Sequence, residues 1–121
     1  MKSSFYKISL VFALLLNGSA FANDSEEISQ GEYLSRAGDC MACHTNDANK
    51  PYAGGHGLAS PIGTIYATNI TPDKTYGIGN YTYEDFERAL RHGEKPSGDA
   101  LYPAMPFVSY AKMNEADVRA L

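Results

Sequence analysis

The chain has 121 residues, with 14 acidic side chains against 10 basic ones, three histidines and two cysteines. That length fits one domain. The acidic balance excludes nucleic acid and anionic lipid as natural partners, because both would repel the chain, but it allows docking on a basic protein surface.

Lys2 and Lys7 flank the start of a mostly apolar run from Ile8 to Leu16. Asn17-Gly18-Ser19 breaks the run, and Ala20-Phe21-Ala22 has the form of a cleavage site. The run is well short of the ~20 residues needed to span a bilayer. The pattern predicts a signal peptide over residues 1–22, cut after Ala22, in preference to an uncleaved anchor. Removing 22 residues from 121 leaves a domain of 99, residues 23–121. It keeps 8 basic and 14 acidic side chains, a formal charge of −6.

Asn23 to Glu27 reads as a loose polar leader. A first helix is predicted from Ser29, where Ser29 and Glu32 form a capping box and Ile28 can staple onto Tyr33. Tyr33, Leu34 and Ala37 share one face, and Gly38 ends the helix. The next residues are Cys40-Met41-Ala42-Cys43-His44. This C-x-x-C-H spacing attaches a c-type haem: each sulfur adds to one vinyl group, and the following histidine falls on the iron.

Competing uses of the two cysteines fit less well. A disulfide this short would restrain little chain. A zinc site would need two more ligands, with His56 and His92 the obvious supply, and neither has a close Cys or His neighbour in sequence. A thioredoxin-like motif would need a surrounding βαβ pattern.

Thr45 to Tyr81 shows no periodicity and is punctuated by Gly54, Gly55, Gly57, Pro61, Gly63, Pro72, Gly77 and Gly79. So long an irregular stretch is unusual in a compact domain. It becomes reasonable if loops wrap a prosthetic group. A short strand is predicted within Ile62–Ile70. Thr82 caps the best-defined helix, with Asp85 at N3 and Tyr81 able to staple onto Phe86. Phe86, Ala89 and Leu90 form its apolar stripe, Glu84–Arg88 and Glu87–Arg91 are i,i+4 pairs, and Gly93 stops it. Glu94 to Lys112 reads as loop around Pro96, Pro103 and Pro106. A last helix starts at Asn114, with Asp117 at N3 and Met113 stapling onto Val118. It stops at Leu121 after two turns, so the domain is expected to be cut short within it.

A six-coordinate haem needs a ligand opposite His44. Met41 lies inside the attachment loop, and Met113 has its staple role. His56 sits in a glycine-rich loop, and His92 suits a helix C-terminus. Met105 lies in Tyr102-Pro103-Ala104-Met105-Pro106, where two prolines exclude helix and stiffen the loop. It is the expected second ligand. His/Met ligation raises the reduction potential and leaves no open iron site, which favours electron transfer over oxygen chemistry.

With these residues the chain resembles the cytochrome c subunits of bacterial membrane-bound dehydrogenases for alcohols, aldehydes and gluconate. The resemblance is carried by Gly31-Glu32-Tyr33-Leu34, Ala37 to Thr45, Gly63 to Asp73 with its Asn69-Ile70-Thr71-Pro72-Asp73 run, Gly77 to Thr82, and Leu101 to Pro106. It implies a subunit that usually carries three haem c domains and moves electrons from a catalytic subunit to membrane ubiquinone. This chain has one C-x-x-C-H and matches only the first domain. The resemblance places Asn69, Ile70 and Thr71 near the haem edge. Pro61 is expected to offer its carbonyl to the His44 ring N–H.

The expectation is a mainly α, class I cytochrome c-like domain, with helices and long loops wrapped around one covalent haem. Cys40 and Cys43 hold the haem, and His44 and Met105 bind iron. No nucleophile–base pair supports catalysis, so the chain is expected to carry electrons rather than act as an enzyme. The donor would be a dehydrogenase catalytic subunit, and the acceptor ubiquinone or another cytochrome. The site would be the periplasm, with membrane contact only through a complex. Two rival readings stay open: a five-coordinate haem sensor or peroxidatic protein, and a haem-free C-x-x-C redox or metal module.

Overall fold

The computed structural model describes residues 18–121, with side chains from Asp24 onward. Most of the predicted export signal, including Lys2, Lys7 and Ile8 to Leu16, lies outside the described residues.

Helix α1 runs Gly18–Ala37 and passes straight through Ser29. The predicted start at Ser29, and the loose leader before it, are therefore corrected. Glu26, Glu27 and Gln30 around Ser29 are good helix formers, and a capping box cannot start a helix where the preceding residues are already helical. The predicted end holds: the Gly38 N–H donates to the Leu34 carbonyl at 2.7 Å. The left-handed residue at this corner is Asp39, with φ 60°, a conformation that aspartate tolerates better than most residues. Asp39 leads at once into the one-turn helix α2, Cys40–His44.

The glycine-rich stretch contains more order than its sequence predicts. Strands β1 (Gly57–Ser60) and β2 (Gly63–Tyr66) form an antiparallel hairpin, pairing Leu58 with Ile65 and Ser60 with Gly63. The strand expected within Ile62–Ile70 is thus only four residues long. Its partner is hidden in the sequence because Gly57 and Pro61 disguise it. Pairing continues past the hairpin, where the Gly55 N–H donates to the Ala67 carbonyl at 2.8 Å and the Ala67 N–H to the His56 carbonyl at 2.9 Å.

Helix α3 runs Tyr83–His92. Thr82 caps it as predicted, accepting from the Asp85 N–H while the Asp85 side chain accepts from the Thr82 N–H. Gly93 ends it with φ 64° and donates to the Ala89 and Arg88 carbonyls. Glu87 and Arg91 pair at 3.0 Å. The Glu84–Arg88 pair is corrected: Arg88 reaches Asp85 at 2.8 Å and Glu94 at 3.5 Å. Asp85, already fixed by the capping box, presents its free oxygen one residue nearer than Glu84.

The segment expected to be loop from Glu94 to Lys112 holds an isolated bridge between Glu94 and Ala100 and a one-turn helix α4, Phe107–Tyr110. Helix α5 runs Glu115–Ala120, capped by the Asn114 side chain on the Asp117 N–H. The first and last helices cross at Gly31, which is buried and lies directly under the Ala120 carbonyl. Helix α3 packs on α4. The described chain is therefore about 40% helix with one small sheet. Its buried apolar side chains, among the described residues, are Leu90 and Val118. No described helix is long and apolar enough to cross a membrane.

Candidate haem site

Cys40, Cys43 and His44 all sit on α2, at the corner where α1 ends. One helical turn sets both sulfurs and the imidazole on neighbouring positions, which the i and i+3 spacing of the cysteines requires. Both cysteines are free thiols and half-buried. Burial pushes the Cys40 thiol above its ordinary range, against an opposing hydrogen bond from its own backbone.

Behind Cys40 lies an apolar cavity of about 240 Å³, walled by Leu34, Leu90, Tyr110, Met113 and Leu121. The Tyr110 hydroxyl donates to the Gly38 carbonyl at 2.6 Å and ties α4 to this corner. Burial raises the Tyr110 pKa as well, followed by the nearby Cys40, Cys43 and Asp39. Met113 thus belongs to the packing around Cys40. Met105 is half-buried on the loop between Leu101 and Phe107 and does not line this cavity. That loop is fixed at its start by the Leu101 N–H on the Gly93 carbonyl, at 2.6 Å, and after Met105 by the Phe107 N–H on the Met105 carbonyl, at 2.9 Å.

His44 Nδ1 is 2.7 Å from the Thr68 carbonyl. With the proton on Nδ1 the ring donates there, and Nε2 keeps its lone pair. The expected carbonyl partner was Pro61; Thr68 takes that place. Pro61 instead occupies the exposed hairpin turn between Ser60 and Gly63, where it cannot serve His44. Nothing in the Thr68 side chain could have signalled this role, because the working group is backbone.

Asn69, Ile70 and Thr71 follow Thr68 directly, and their polar groups are spent on holding the loop. Asn69 Oδ1 accepts from the Thr71 N–H at 2.8 Å and the Thr71 hydroxyl at 2.6 Å. The Ile70 N–H donates to the Tyr52 carbonyl at 2.9 Å. Asp73 accepts from the Thr75 and Tyr76 N–H groups, both at 2.8 Å. Gly77 and Gly79 pack so closely on the Thr71 and Pro72 carbonyls that a Cβ at either position would overlap them.

The residues present fit a covalently attached haem. Two unpaired thiols and a histidine with one free ring nitrogen share a single turn. Among the described residues the buried apolar side chains are only Leu90 and Val118, a small core that a large apolar group would complete. His56 and His92 do not join the cysteines: no group of three or more His, Cys, Asp or Glu among the described residues could hold a metal ion.

No family model matches the chain. Curated relatives do. The chain is 52% identical over 117 residues to the gluconate 2-dehydrogenase cytochrome c subunit of Pantoea cypripedii, covering 92% of this chain and 26% of that protein. It is 54% identical over 106 residues to the cytochrome c subunit of the quinone alcohol dehydrogenase of Gluconobacter oxydans (86% and 22%). It is 55% identical over 95 residues to the fructose dehydrogenase cytochrome subunit of Gluconobacter japonicus (78% and 20%). The chain thus spans about a quarter or less of the length of these relatives. Across that shared segment it is a homologue of the cytochrome c subunits of gluconate, alcohol and fructose dehydrogenases.

Proposed function

We propose that residues 23–121 form an exported, single-haem cytochrome c domain that relays electrons within a dehydrogenase complex in the periplasm. The donor is the complex's catalytic subunit, and the acceptor is ubiquinone or another cytochrome. The observation that carries this reading is His44: it follows two free thiols on one helical turn, and its Nδ1 is already committed to the Thr68 carbonyl.

Cys40 and Cys43 would hold the haem through thioether bonds, and His44 Nε2 and Met105 Sδ would bind its iron. Haem c, when bound, supplies one-electron exchange between Fe(III) and Fe(II). The chain's own residues do the rest. Thr68 fixes the tautomer and orientation of His44. Pro103 and Pro106 restrict the backbone around Met105. The Asn69–Thr71 turn keeps the Thr68 segment in place.

Thioether-linked haem survives denaturation. A haem stain on a denaturing gel of the exported protein is expected to mark the wild-type band and to fade in a Cys40→Ala/Cys43→Ala variant. An unstained wild-type band would sink the proposal and revive the haem-free module.

A further inference from the structure

The geometry points to Gly54 as the positioning residue of the proximal side: its backbone lies against the Thr68–Asn69 peptide and holds the Thr68 carbonyl on His44. The inference rests on the reading of His44 as an iron ligand and deepens it.

Gly54 touches both partners of the histidine hydrogen bond. Its N–H donates to the His44 carbonyl at 2.7 Å. Its φ of +74° is a left-handed value that glycine adopts freely. A Cβ built there would stand 2.5 Å from the Thr68 carbonyl carbon, 2.6 Å from the Asn69 nitrogen and 2.7 Å from the Ala67 oxygen. All three are backbone atoms, so no side-chain rotation can relieve the overlap. A methyl group at position 54 must push the 67–69 backbone away, and the Thr68 carbonyl moves with it.

The neighbouring residues brace this contact from both sides. Residues 52–56 are laced between the end of α2 and the 67–70 segment. The Tyr52 N–H donates to Thr45 Oγ1 at 2.9 Å, and the Tyr52 carbonyl accepts from Ile70 at 2.9 Å. Tyr52 itself holds φ +62°, a strained value for an aromatic residue that persists only where its surroundings enforce it. Its hydroxyl meets Ser35 Oγ of α1 at 2.8 Å. The position of the Thr68 carbonyl is therefore set by a braced backbone sandwich with Gly54 at its centre.

A ring N–H bonded to a carbonyl raises the basicity of the opposite imidazole nitrogen. A more basic ligand favours Fe(III), so weakening the Thr68 contact raises the reduction potential. Gly55 provides the matched control. It also has a left-handed φ, +83°, but a Cβ there meets only the Asn46 Cβ, at 3.6 Å. Gly55→Ala carries the same kind of backbone strain without disturbing Thr68.

The test compares holoproteins by redox titration and by NMR exchange of the His44 Nδ1 proton in the reduced state. Gly54→Ala is expected to raise the potential and speed exchange of that proton, while Gly55→Ala leaves both near wild type. Gly54→Ala moving neither quantity, or Gly55→Ala moving both equally, overturns the inference. If Gly54→Ala does not fold, Thr45→Val decides. It removes the acceptor for Tyr52 without adding bulk, and must shift both quantities in the same direction by a smaller amount. A Thr45→Val holoprotein with no shift would overturn the inference. A wild-type chain without thioether-linked haem overturns the parent reading, and this inference with it.

Discussion

Gly31→Ala separates local propensity from tertiary packing with opposite signs. In an isolated helix, alanine is favoured over glycine by about 1 kcal/mol, so the substitution should stabilise α1. In this fold Gly31 is buried where α1 crosses α5, and a Cβ there would overlap the Ala120 carbonyl. Overpacking of this kind costs about 1–3 kcal/mol. The upper part of that range applies here, because the obstacle is helix backbone and not a movable side chain. Subtracting the propensity gain leaves a net loss of about 1–2 kcal/mol. The loss falls on the crossing that covers Val118, whose side chain is 1% exposed. Urea denaturation of the purified holoprotein reads it as a lower midpoint at unchanged slope. Ser29→Ala, two residues away on an exposed position of the same helix, should stay within about 0.5 kcal/mol of wild type. A Gly31→Ala protein more stable than wild type would refute the crossing. A Ser29→Ala loss near 1 kcal/mol would restore Ser29 as a helix cap.

Asp73 and Asp85 are expected to make stability sensitive to acid. The Tyr76 and Thr75 N–H groups hold the Asp73 carboxyl below the ordinary aspartate range, and the Thr82 N–H, aided by Arg88, does the same for Asp85. Because both folded-state values are depressed, their contribution is complete above the ordinary aspartate range and is lost as pH falls through the folded values. Asp73 is exposed and Asp85 is only partly buried, so the slope should be shallow; an Asp73→Asn/Asp85→Asn variant should flatten it in urea midpoints measured from pH 6 downward to about pH 3. Met105→Ala should abolish the long-wavelength charge-transfer band that marks Fe–Met bonding in the oxidised protein, whereas Met113→Leu should keep it, because Met113 packs beside Cys40. A retained band in Met105→Ala would remove Met105 from the iron.

How legible each feature is depends on whether its cause is local. The placement of Cys40, Cys43 and His44 together is legible because it depends only on spacing along one turn. The caps at Thr82 and Asn114 are legible because a side chain bonds a backbone N–H three residues away. The Thr68 carbonyl is hidden because backbone groups are alike at every residue. The Tyr110–Gly38 bond is hidden because 72 residues separate its partners in sequence. The start of α1 is misread because Ser29 and Glu32 carry a capping pattern that helix propensity on both sides overrides. The hairpin is obscured for the opposite reason: Gly57, Pro61 and Gly63 look like loop punctuation, yet they form the ends and the turn of a real pair of strands. Gly31, Gly54, Gly77 and Gly79 look interchangeable in sequence, although a Cβ at Gly31 would collide with Ala120, one at Gly54 with the 67–69 backbone, and one at Gly77 or Gly79 with the 71–73 backbone.

The central claim is a single low-spin haem, bound through Cys40, Cys43 and His44 and completed by Met105, that exchanges one electron. A spectroelectrochemical titration of the exported protein, scaled to its haem content per chain, tests it most directly. The account predicts one haem per chain, a single one-electron transition and a six-coordinate low-spin spectrum in both oxidation states. A five-coordinate high-spin spectrum, or a protein that takes up electrons without haem absorbance, would contradict it.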